Sequence, residues 1–235
     1  MIGTTSAHDR HNFPEIVAMT DPGGHDFREV VPVAGPVDRG SVGPVGQHVG
    51  MSENPFALLD RAAAVADSVI AGVKSDQLDN PSPCTEWSVR DVINHLVTGN
   101  LVFISMLTGA PRPDRSVDHL GDDPLAAFRD TFRTLRAAFA GEGVLDKTYP
   151  TPFGSGPGSL LVEMRTTEMT IHSWDIARGS GRSTDLDPEL AESRLASLRA
   201  ALTGDRSGSP FAAERAAPPG ASAADRLAAF AGRAV

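Results

Sequence analysis

Glu168 and His172 stand four residues apart in the segment Met164–Asp175. On a helix that spacing sends both side chains out of one face, one turn apart. A carboxylate and an imidazole so placed can hold one divalent metal ion if another helix supplies a third ligand. His95, within Val92–Val97, is the best candidate for the third. Two imidazoles and one carboxylate leave at least one coordination position for water or a substrate atom. That points to a reactive site more than to a structural one, where four protein ligands are usual.

Each of these residues also has a plainer reading. His95 shares its face with Val89, Val92 and Leu96, where a hydrogen-bonded core histidine is common. Glu168 lies in a stripe with Leu161, Met164 and Ile171, and a carboxylate buried there needs a cation. The candidates are a metal, a protonated His172 or an arginine such as Arg165. Asp175 could orient a ligand or pair with Arg178, and the salt bridge is the commoner role. Trp87 and Trp174 read as packing residues that could line a pocket. Arg112 and Arg115 could meet an anionic substrate, although a solvated loop is the commoner setting. Cys84 is the only cysteine, so no internal disulfide can form, and a small packing residue is its ordinary use.

Positioning these side chains is work for helices. The chain has 235 residues, 40% hydrophobic and only 6% aromatic, so Leu, Ala and Val must fill most of the core. Asn54-Pro55 predicts a first helix start, and Ser88 with Asp91 three residues later predicts a second that runs to Gly109. Asp123-Pro124 announces a third, ending before Gly141. Tyr149–Gly158, rich in Gly and Pro, reads as a loop or short irregular strand. Ser159 is the expected cap of a fourth helix ending near Gly179, Asp187-Pro188 opens a fifth that stops at Gly204, and Ser222 with Asp225 starts a last short one. A helical bundle is the leading architecture. Residues 1–50 carry many breakers and scattered histidines (His8, His11, His25, His48) and are expected to be an extended or disordered extension. The domain is expected over residues 51–235.

The net charge of −9 argues against general nucleic-acid binding. No apolar run reaches the ~18 residues of a membrane helix, and the amino terminus lacks signal-peptide regions. The cytoplasm is the default location, a small molecule the expected partner, and a homodimer an open assembly.

Pro83–Leu96, Glu168–Arg178 and Ala224–Arg233 together resemble the DinB-like superfamily, and within it the actinobacterial metal-binding branch related to mycothiol-dependent maleylpyruvate isomerase. The resemblance spans residues 51 to about 235. It implies an all-α, DinB-like up-down four-helix bundle with additional short carboxy-terminal helices and a divalent metal, commonly Zn2+, in its core. By position His95, Glu168 and His172 take the ligand roles. It also implies a low-molecular-weight thiol, mycothiol or a relative, as cosubstrate. The isomerases carry a separate carboxy-terminal domain, and this chain looks closer to short single-domain relatives. The leading expectation is a metal-dependent thiol transferase or isomerase acting on a small electrophile. The alternatives are a metal-dependent hydrolase, a non-catalytic metal or small-ligand binding protein, and an interaction bundle in which the trio is only a polar core network.

Overall fold

The computed structural model describes residues 54–84, 87–151, 154–202, 206 and 211–235. The expected extension over residues 1–50 lies outside the described residues. Six α-helices follow in order: α1 (Ala57–Ala71), α2 (Val89–Thr108), α3 (Pro124–Phe139), α4 (Gly158–Gly179), α5 (Pro188–Ala201) and α6 (Ala223–Phe230). A hairpin of β1 (Thr148–Thr151) and β2 (Gly154–Pro157) precedes α4.

The four long helices form the expected bundle. Contacts run from α1 to α4, α4 to α2, α2 to α3 and α3 back to α1, closing a ring around the apolar core. Leu59, Ala66, Val92, Ile93, Leu96, Phe103, Phe128, Leu135 and Phe139 fill that core. α5 and α6 pack on each other and on α4, around a second apolar cluster that includes Ile171, Trp174, Leu195, Leu227 and Phe230. α4 is therefore covered on both sides. Its run from Arg165 to Ala177 is buried throughout, although it holds Thr166, Thr167, Thr170 and Ser173. Thr166, Thr170 and Ser173 hydroxyls donate to the carbonyls of Val162, Thr166 and Met169, each at 2.7 Å, which removes the cost of burying them.

The local start signals operate as their chemistry dictates. Ser88 Oγ accepts from Asp91 N at 3.2 Å while Asp91 Oδ2 accepts from Ser88 N at 2.9 Å, a reciprocal cap that fixes the start of α2. Asp123, Asp187 and Ser222 cap α3, α5 and α6 in the same one-sided way, each accepting a backbone N–H three residues on.

Three boundaries differ from the sequence reading. Asn54 accepts from Phe56 N at 3.1 Å and makes a turn ahead of the helix, so α1 begins at Ala57 and not at Pro55. α4 begins at Gly158 behind Pro157, with no side-chain cap, so Ser159 is already inside it. The Gly/Pro-rich stretch pairs as an antiparallel hairpin in the register Thr148↔Pro157 to Thr151↔Gly154. α5 ends at Ala201, short of Gly204, which lies outside the described residues. No helix among the described residues is long and apolar enough to cross a membrane.

Candidate functional site

The bundle places His95 on α2 opposite Glu168 and His172 on α4. One ligand atom from each of the three lies within 4.8 Å of the others. His95 Nε2 is 3.1 Å from Glu168 Oε1, and the two imidazoles meet edge to face with ring centroids 4.7 Å apart. Donor atoms around a tetrahedral zinc sit roughly 3.3 Å apart, given bond lengths near 2.0–2.1 Å. The His95–Glu168 pair already stands at about that spacing, and the His172 ligand atom lies within 4.8 Å of both. Trp87 stands over both imidazoles, its ring 4.9 Å from His95 and 6.3 Å from His172. It thus forms a wall of the site, whereas Trp174 is buried in the second core and donates from Nε1 to Asp225 at 2.8 Å.

The cation that Glu168 requires is present in the chain itself. Arg165, fully buried one turn earlier on α4, donates from Nη1 to Glu168 Oε2 at 2.5 Å. Burial alone would raise the Glu168 pKa, but the Arg165 charge and the His95 hydrogen bond overcome it and hold the carboxyl well below the usual carboxylate range. Of the three cations the sequence offered, Arg165 makes the direct ion pair. His172 stays neutral at pH 7, because burial pushes its imidazole down to about 4 against the pull of Asp175.

Asp175 has a different partner from the one expected. It is fully buried and faces Arg233, not Arg178, with Arg233 Nη2 and Nε donating to its two oxygens at 3.0 and 3.2 Å. Burial would raise its pKa, and the Arg233 charge followed by the His172 hydrogen bond reverses this, so Asp175 remains ionised. Gly232 is what brings Arg233 there. α6 ends in a turn where Gly232 adopts φ 91° and Arg233 N donates to Ala228 O at 2.9 Å. That left-handed cap reverses the chain onto α4, and residues other than glycine adopt it only at a cost.

His172 Nδ1 lies 3.0 Å from Asp175 Oδ2. An Nδ1–H donated to that carboxylate leaves the Nε2 lone pair free, the arrangement that second-shell carboxylates impose on metal-binding histidines. Cys84 Sγ also donates to Asp175 Oδ2, at 3.1 Å. Burial and the Asp175 charge push its thiol pKa far up, so Cys84 is a protonated donor and no nucleophile at neutral pH. Cys84, His172 and Asp175 form a second set of grouped ligand atoms. That set fits a metal poorly, because its thiol resists ionisation and its carboxylate is already held by Arg233.

The arrangement can do the following. Two ionised carboxylates each face one guanidinium, so the pocket is charge-balanced before any ion enters. Two imidazoles and one carboxylate oxygen converge on one point, and the donor set suits a divalent ion with an open position. Arg112 and Arg115 are exposed on the connection between α2 and α3. Sequence reasoning overlooked Arg233 and the Arg165 partner Asn100. The glycine just past the last helix was the local sign that the chain turns there, but nothing local says where the next side chain lands.

A family model described as the mycothiol maleylpyruvate isomerase N-terminal domain matches residues 59–177, a span that holds His95, Arg165, Glu168, His172 and Asp175 but not Arg233. Two uncharacterised proteins from two strains of Mycobacterium tuberculosis are each 38% identical over 185 residues, which is 77% of this chain and 99% of theirs. The crystal structure of the mycothiol-dependent maleylpyruvate isomerase aligns with a TM-score of 0.50 at 17% identity, over 60% of this chain and 66% of that one. A histidine-to-alanine mutant of it aligns with a TM-score of 0.51 at the same identity and coverage. At that identity the likeness speaks for the fold.

Proposed function

The chain belongs to the mycothiol maleylpyruvate isomerase N-terminal domain family, and from that premise we propose that His95, Glu168 and His172 hold a divalent metal ion, Zn2+ by family analogy, in a thiol-dependent transferase or isomerase acting on a small electrophile. The observation that carries the reading is the convergence of the three donor atoms within 4.8 Å across two helices. Bound there, the ion would supply the positive charge that lets a thiol ionise at neutral pH.

The chain's own residues support the rest of the division of labour. Asp175 fixes the His172 tautomer and ring orientation through the 3.0 Å contact at Nδ1. Arg233 keeps Asp175 ionised for that task. Trp87 covers the imidazoles and excludes water from one side of the pocket. The Cys84 thiol stays protonated, so a sulfur nucleophile has to come from outside the chain, and mycothiol or a relative is the family-based candidate. Neither Glu168 nor Asp175 is free to act as a general base, which disfavours hydrolysis by an activated water. The incoming thiol gives its proton to solvent, and its sulfur then adds to the electrophilic carbon. Addition to a double bond, rotation and elimination return the thiol and give an isomerase. Retention of the carbon–sulfur bond gives a transferase.

The test is zinc-loaded protein assayed with a low-molecular-weight thiol against a panel of double-bond, epoxide and leaving-group electrophiles. Thiol consumption above the uncatalysed rate, lost in His172→Ala, supports the reading. Bound metal with no turnover on any thiol and electrophile pair would make the protein a metal-binding relative without this chemistry.

A further inference from the structure

We propose that Arg165 is a positioning residue for Glu168: it takes up Oε2 and offsets the carboxylate charge, leaving only Oε1 to a metal ion and keeping the pocket folded when no ion is there. The inference rests on the reading of His95, Glu168 and His172 as metal ligands.

The guanidinium is held by three acceptors on two helices. Nη1 donates to Glu168 Oε2 on α4 at 2.5 Å, Nε donates to Asn100 Oδ1 on α2 at 2.9 Å, and Nη2 donates to the carbonyl of Leu96. Asn100, itself fully buried, is fixed from its other end, where Nδ2 donates to Thr131 Oγ1 on α3 at 3.1 Å. Arginine suits this post because its planar fork reaches three acceptors at once, which the ammonium of a lysine does not. The sequence also makes room for it. A Cβ on Gly99 would sit 2.7 Å from Nη1 and 3.1 Å from Cζ, so only glycine lets α2 approach the guanidinium this closely.

Two consequences follow from the charges. A carboxylate with both oxygens free can grip a cation with two, but with Oε2 engaged by Arg165 the chelating mode is closed and Glu168 is a one-oxygen ligand. A guanidinium on the far oxygen also repels an incoming dication, so the same donor set binds metal more weakly than it would without Arg165. In exchange, the ion-free pocket contains no unpaired buried charge, a condition that is otherwise severely destabilising. Arg165 and a metal ion thus compete for one carboxylate, and removing the first should make the protein depend on the second.

The experiment is thermal melting of the full chain with chelator and with increasing free Zn2+, in wild type, Arg165→Met and Gly99→Ala. Arg165→Met keeps the length of the stem and removes the charge. Gly99→Ala keeps the charge and displaces the guanidinium from Glu168, so it decides the matter if Arg165→Met does not fold. In chelator both variants should melt below wild type. Zn2+ should then raise their melting temperatures more than it raises that of wild type, with metal affinity at least about tenfold tighter in Arg165→Met, the scale on which second-shell partners act. Arg165→Lys should fall between Met and wild type. An arginine with a purely structural role would lower the melting temperature equally with and without Zn2+, and that result in every variant that folds overturns the inference. Wild type stabilised by Zn2+ with no enlarged effect in the variants sinks the inference alone. No Zn2+ effect in any of the proteins sinks the metal reading as well.

Discussion

Replacing Arg233 by glutamine should destabilise the metal-free protein in a way that fades on acidification. Arg233 gives Asp175 two charge-assisted hydrogen bonds at 3.0 and 3.2 Å, and its side chain is only 14% exposed. Asp175 is fully buried, so the variant leaves its carboxylate with no facing cation and only neutral donors, the His172 Nδ1–H, the Cys84 thiol and the new glutamine amide. Breaking one side of a buried pair costs about 3–5 kcal/mol. At roughly 2–4 °C per kcal/mol for a domain of this size, that is about 6–20 °C in Tm. The pH dependence follows from where Asp175 binds its proton. In wild type its folded pKa is held low, so its contribution is fully present above the ordinary carboxylate pKa and is lost only as pH falls through the folded value. Without the Arg233 charge, burial dominates and the folded pKa rises above the unfolded one. The variant's penalty is then largest at neutral pH and shrinks as the carboxyl protonates on acidification. Urea unfolding of both proteins in chelator between pH 5 and 8 measures this, with Arg233→Lys expected to recover part of the loss. A gap below about 1 kcal/mol, or one that does not change with pH, would refute the assignment of Arg233 as the counter-charge of Asp175.

Two further predictions concern the same pocket. In chelator, stability should fall as pH drops below 6.5, because the unfolded chain takes up a proton there that buried His172 refuses until about pH 4. That interval corresponds to about 3 kcal/mol, and His172→Gln should lack the corresponding proton uptake in a pH series of unfolding curves. Cys84 should react slowly with a disulfide thiol reagent in the native protein at pH 8 and rapidly after unfolding, because its thiol is held protonated. Fast native-state modification would contradict its role as a donor to Asp175.

What the sequence discloses here depends on distance along the chain. Ser88 with Asp91, Asp123, Asp187 and Ser222 each satisfy backbone groups within three residues, so the starts of α2, α3, α5 and α6 can be read directly. Asn54 misleads by two residues because its side chain closes a turn on Phe56 N before the helix begins. The start of α4 carries no side-chain cap to read. The grouping of His95 with Glu168 and His172 starts from a spacing that many helices share; an earlier helix supplies His95 as the third candidate, and the resemblance makes the trio specific. The buried side of α4 was half legible. Glu168 plainly needed a cation, but choosing Arg165 over a metal or His172 requires Gly99 and Asn100 on a facing helix. The Asp175–Arg233 pair spans 58 residues and depends on a turn after α6, so nearest-neighbour reasoning selected Arg178 instead.

The most direct test of the account is the metal content of protein purified without a histidine tag, measured alongside His95→Ala and His172→Ala after each is shown to fold. The wild type should carry close to one equivalent of divalent metal, and both variants should lose it. Full retention of metal in both variants, or a folded wild type that takes up no metal even when supplied with Zn2+, would contradict the account.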